Sequence, residues 1–143
     1  GEMTMFKRST GSVGTFGLVT RSKFNKNEVE EMHINSLNKP TGGLWLSPMV
    51  QDTSEWVRFC QKEMEERLIE CTFYEAKLSL DNVKLFSSPP TKDELMAIKN
   101  DESCAGFFLT GIHPGWDVQT LWMKDDRNIK KLKKKGLPVY ETV

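Results

Sequence analysis

The stretch Thr72-Phe-Tyr-Glu-Ala-Lys-Leu-Ser-Leu80-Asp-Asn-Val83-Lys-Leu-Phe86 alternates with a period of two. Tyr74, Ala76, Leu78 and Leu80 fall on one face, and Phe73, Glu75, Lys77 and Ser79 on the other. Successive strand side chains point to opposite faces, so the first set is expected to bury and the second to stay mixed. Asp81-Asn82 is a tight-turn signal, because both side chains hydrogen-bond nearby backbone and tolerate left-handed φ. Two strands joined by so short a turn favour antiparallel pairing.

Upstream, Trp56, Phe59, Cys60, Met64 and Leu68 recur at spacings of three and four across Ser54 to Glu70. That period predicts an amphipathic helix, capped by Asp52 with Glu55 three residues later. Before it, Lys39-Pro40 fixes an extended turn, Gly42-Gly43 permits positive φ or close backbone approach, and Leu44-Trp45-Leu46 reads as a brief strand stopped by Pro48. Asn27 with Glu30 predicts a short helix that turns Val29, Met32 and Leu37 inward. Phe16 to Phe24 reads as a strand, and Gly11 to Gly17 as a flexible lead-in or turn. Downstream, Ser87-Ser-Pro-Pro90 breaks the chain, and Thr91 with Glu94 opens another helix with Leu95, Met96 and Ile98 inward. Cys104 to Thr110 is a buried strand or an apolar helix end, Gly111 to Gly115 a turn, and Trp116 to Met123 a strand. Ile129 to Lys135 reads as a short basic helix and Leu137 to Val143 as a last strand. The expected class is α+β, with a mostly antiparallel or split sheet and three to four helices around it.

Composition bounds what such a domain does. The 143 residues fit one globular domain, 1–143, with 1–15 expected to be flexible or partly tag-derived. Twenty basic residues balance twenty acidic ones, which argues against a surface built as a whole to grip nucleic acid. No apolar run approaches the ~20 residues of a membrane span, so no membrane partner is expected. The first residues lack the hydrophobic core of a signal peptide. Three cysteines, Cys60, Cys71 and Cys104, form no Cys-x-x-Cys pair, and only His33 and His113 stand beside them. This predicts no metal site and no disulfide framework, and reads as small buried side chains in a reducing cytoplasm. Lysines fill Lys130 to Lys135 apart from Leu132. They are either a solvated face or a contact for nucleic-acid phosphates.

The order of Lys39-Pro-Thr-Gly-Gly-Leu-Trp-Leu-Ser47, the helix starting Ser54-Glu-Trp56, the strand Thr72 to Leu80 and Gly115-Trp-Asp-Val-Gln-Thr-Leu-Trp-Met123 resembles small ADP-ribosyltransferase-type folds. The first segment is also similar to the Gly-Arg-Trp-Asn region of RES-domain NAD-degrading toxins, with Leu44 where those carry a basic or polar residue. The resemblance implies NAD as co-substrate, held in a cleft between antiparallel sheets. It implies that Arg21 contacts the phosphates, that Gly42 and Gly43 lie against the cofactor, that Trp45 stacks on a ring and that Ser47 orients ribose. A late-strand glutamate would stabilise the oxocarbenium-like transition state. Gln119 occupies its position, with Asp117 two residues earlier and Glu141 near the C-terminus as other sources of negative charge. A glutamine carries no charge to oppose a developing cation. The alternative expectation is a non-enzymatic protein-interaction module, phage- or plasmid-associated, that docks a partner through an aromatic patch.

Overall fold

A computed structural model describes residues 4–5, 13–21, 23–25 and 28–137. Its strands are β1 (Thr4–Met5), β2 (Val13–Thr20), β3 (His33–Ile34), β4 (Pro40–Thr41), β5 (Leu44–Val50) and β6 (Thr53–Ser54). Helix α1 (Glu55–Glu63) and a 3-10 turn (Glu65–Leu68) precede β7 (Thr72–Ser79) and β8 (Val83–Phe86). Then come α2 (Lys92–Asn100), β9 (Gly106–Leu109), β10 (Thr120–Met123) and β11 (Ile129–Lys135). The class is α+β, with two α-helices among the described residues rather than three to four. The main sheet runs β1-β8-β9-β10-β5-β2-β7-β11, with β6 added against β5. Every pair in it is antiparallel except β8 with β9. Among the described residues no helix is long and apolar enough to cross a membrane.

One face of the sheet is lined by Phe16, Leu18, Leu44, Leu46, Tyr74, Ala76, Leu78 and Leu121, all buried. The ring of Phe16 on β2 meets that of Phe108 on β9 edge-on at 5.6 Å. Two strands lie between β2 and β9, and flat strands sit about 4.8 Å apart, so the sheet must curl around this face. The opposite face carries the helices. Trp122, Phe107 and Phe86 pack with Leu95 and Ile98 of α2, while Phe73 packs with Val57 and Cys60 of α1.

The alternating strand Thr72–Ser79 and the turn at Asp81-Asn82 form, with Asn82 at φ 61°, but the expected hairpin does not. Both sides of β7 are occupied, by β2 and β11. Asn128 holds the strand end: its carbonyl accepts from Ser79 N, and its Nδ2 donates to the Ser79 and Asp81 carbonyls at 3.0 and 2.9 Å. Strand β8 instead leaves for the far side of the sheet and pairs parallel to β9, with α2 as the crossover that parallel neighbours require.

Ile129 to Lys135 is a strand, not a helix. The spacing of three between Ile129 and Leu132 mimics a helical turn. A β-bulge between Ile129 and Lys131 inserts one residue, which brings both apolar side chains to the core face. Residues 28–37 are not a helix either, and Asn27 lies outside the described residues. Asn35 Oδ1 accepts from Leu37 N and Lys39 N, a local turn that competes with helix and closes the β3–β4 ribbon. Val13 to Gly17, read as a lead-in, opens β2. Helix α1 starts later than the expected cap at Asp52 and ends before its apolar stripe does. Ser54, not Asp52, is its N-cap, and Met64 breaks it. Strand β5 runs on through Pro48, which pairs with Phe16. Trp116 to Gln119 is loop ahead of β10. The expected last strand falls, beyond Leu137, outside the described residues.

Candidate functional site

Between α1 with its 3-10 turn and the loop 115–118 lies a cleft of about 460 Å³, lined by Gly17, Val19, Lys39, Trp45, Leu46, Ser47, Trp56, Met64, Arg67, Thr120 and that loop. Its floor is set by strand alternation. Leu44 and Leu46 face the core, so Trp45 and Ser47 face the cleft. Gly17 lies opposite Ser47. A Cβ at Gly17 would sit 2.5 Å from Ser54 Cβ and 2.8 Å from the Phe73 ring, so the absent side chain lets the start of α1 rest on the sheet.

Ser47 is 1% exposed, and its Oγ accepts from Trp56 N at 2.9 Å. Ser54 Oγ accepts from Val57 N at 3.2 Å. Two hydroxyls thus satisfy N–H groups that a first helical turn leaves unpaired. The cap fixes the start of α1 against β5 and presents Trp56 at the cleft wall.

The opposite wall comes from His113-Pro-Gly-Trp116. His113 and Trp116 exchange backbone hydrogen bonds, and Gly115 has φ 79°. Proline followed by a positive-φ glycine is the pattern of a type II turn. The turn stacks the Trp116 ring on Trp45, centroids 5.7 Å apart and planes 28° apart. Lys39 Nζ lies 4.9 Å from the Trp116 ring centroid and donates to the Gly115 carbonyl. The charged lining is therefore two cations, Lys39 and Arg67, and one carboxylate, Asp117. Behind it, burial pushes the Cys60 thiol up to about 11, so it stays protonated and inert at neutral pH.

Of the residues singled out in the sequence, Trp45, Ser47 and Asp117 come together here. Arg21 does not. It is exposed just past β2 and lines a smaller hollow of about 230 Å³ with Arg67, Glu66 and Cys71. Gly42 and Gly43 are packing residues. The Gly42 carbonyl accepts from Trp122 Nε1 at 3.2 Å, and a Cβ on Gly43 would fall 2.5 Å from the Trp122 ring. Gln119 is a brace: its Nε2 donates to Glu55 Oε2 at 3.0 Å, and its Oε1 accepts from Gly111 N at 3.4 Å. Glu141 lies outside the described residues. Among the described residues no group of three or more His, Cys, Asp or Glu is placed to hold a metal.

The sequence reading missed Lys39, Trp56, Arg67 and Trp116. Trp56 was absorbed into an apolar stripe, and Arg67 into the far end of a helix whose break at Met64 carries no glycine or proline. Only the Pro-Gly turn offered a signal, for Trp116. No family model, curated protein or solved structure matches this chain.

Proposed function

We propose that the cleft binds NAD as co-substrate and that the protein is an ADP-ribosyltransferase-like enzyme. It would cleave the bond between nicotinamide and ribose and pass ADP-ribose to a target nucleophile or to water. Nicotinamide departs with the bonding electron pair, the nucleophile bonds to the ribose carbon that it leaves, and the nucleophile's proton passes to solvent. The observation that carries this reading is that Trp45 and Ser47 of one segment and Asp117 of another line one cleft together with Lys39 and Arg67.

The charges of that lining mirror those of the ligand. Two cations match the two negative charges of a diphosphate, and one carboxylate matches the cationic nicotinamide ring. Arg67 offers the planar paired donors that suit phosphate oxygens. Trp45, 39% exposed, offers a flat face that attracts a cationic ring. Asp117 supplies the charge that Gln119 lacks. The volume lies within the ~300–1,000 Å³ of small-molecule sites.

Isothermal calorimetry with NAD and a nicotinamide-release assay test the proposal. Saturable binding and release of free nicotinamide are expected; no heat at millimolar NAD rejects it. The alternative, a docking module that uses the exposed Trp45 against a protein partner, gives neither heat with NAD nor nicotinamide.

A further inference from the structure

The lysine strand at the sheet edge is a second feature, independent of the cleft. Lysines on an edge strand have an ordinary use, since they block pairing with another chain. That explains β11 taken alone. It does not explain Lys77, which lies on the inner strand β7, exposed and directly opposite Lys131. Like charges directly opposite across a strand pair are destabilising. Among the described residues neither Lys77 nor Lys131 forms an ion pair, whereas Lys135 lies 3.8 Å from Asp52.

Thr15, opposite Lys77 on β2, is exposed too, so this patch of the helix-bearing face lies beyond the cover of α1. Lys77, Lys131 and Lys133 line a hollow of about 230 Å³ there with Thr15 and a single carboxylate, Glu75. The charge is also segregated along the chain. Five of the twenty basic residues lie within 130–135, and the remaining fifteen face twenty acidic ones.

We infer that this edge binds the phosphate backbone of nucleic acid, without reading sequence. Among the described residues no ion pair offsets this cross-strand repulsion, and an anion placed between the two lysines relieves it. Strand lysines two residues apart are about 6.8 Å apart, and Lys131, Lys133 and Lys135, which share this face, extend about 14 Å, which suits a linear polyanion better than a single phosphate. No apolar or aromatic side chain lines the hollow, as entry into a lipid interface would need.

The test is fluorescence anisotropy with a labelled DNA duplex on the full chain. Three phosphate contacts predict a log–log salt slope of about −2.7, roughly a 40-fold loss of affinity between about 50 and 200 mM salt. Lys77→Ala/Lys131→Ala/Lys133→Ala should abolish binding while circular dichroism stays unchanged. Lys134→Ala, opposite Tyr74 and so on the other face, should keep the slope. No binding at low salt, or binding unchanged in the triple variant, overturns the inference. So does capture by anionic vesicles with no affinity for the duplex.

Discussion

Asp117→Asn should bind NAD almost as the parent does and release nicotinamide about 10²–10³-fold more slowly, the size of effect seen when one preorganised charge-stabilising group is removed. Asp117 is exposed in the loop between Trp116 and β10 and makes no hydrogen bond or ion pair with a described residue. The substitution keeps shape and removes charge, so the fold should not change. A carboxylate facing a developing positive charge acts most strongly in the transition state, and its loss therefore falls on kcat more than on KM. Single-turnover nicotinamide release beside an NAD titration separates the two. Release at the parental rate would remove Asp117 from the chemistry. Loss of binding and release together would make it a binding residue.

The second large effect concerns stability. Gly43→Ala should destabilise the protein by about 2–5 kcal/mol. Residue 43 has φ 64°, and a side chain in that left-handed region costs about 1–2 kcal/mol. The new Cβ would also stand 2.5 Å from the Trp122 ring and 2.6 Å from the Met123 carbonyl, and overpacking of this kind adds about 1–3 kcal/mol. Trp122 is fully buried and cannot retreat without disturbing Phe107, stacked on it at 5.9 Å. Small domains have only about 5–15 kcal/mol of stability, so the shift in urea midpoint should be large. Below that midpoint, NAD affinity per folded molecule should be unchanged. A stable variant that loses NAD would restore to Gly43 the cofactor contact that the resemblance implies.

The two glycines show how far the sequence could be read. Gly42-Gly43 announced an unusual backbone. What Gly43 accommodates is the indole of Trp122, and what Gly42 accommodates is the backbone of Glu30 and Glu31; no local pattern carries either contact. The strand Thr72–Ser79 was legible because its buried face alternates cleanly. Its partners were not, because β11 hides its register behind a bulge and the Asp81-Asn82 turn leads out of the hairpin instead of closing it. The capping box at Thr91 and Glu94 was legible to the atom, both of its hydrogen bonds being made. The residues 28–37 misled because Asn35 accepts two backbone N–H groups and turns the chain there. Within the cleft, Trp45 and Ser47 were named by the resemblance, and strand alternation against Leu44 and Leu46 is what turns them to this face. Arg67 depended on where α1 ends, and Lys39 on a contact with Gly115, 76 residues away.

The indole N–H resonances of the four tryptophans test the central claim most directly. Three of them, Trp45, Trp56 and Trp116, line the cleft, while Trp122 is buried with its Nε1 on the Gly42 carbonyl. Titration with NAD should move the first three along one saturable curve and leave Trp122 in place. Four unmoved resonances at millimolar NAD, or movement of Trp122 alone, would contradict the assignment of this cleft as the NAD site.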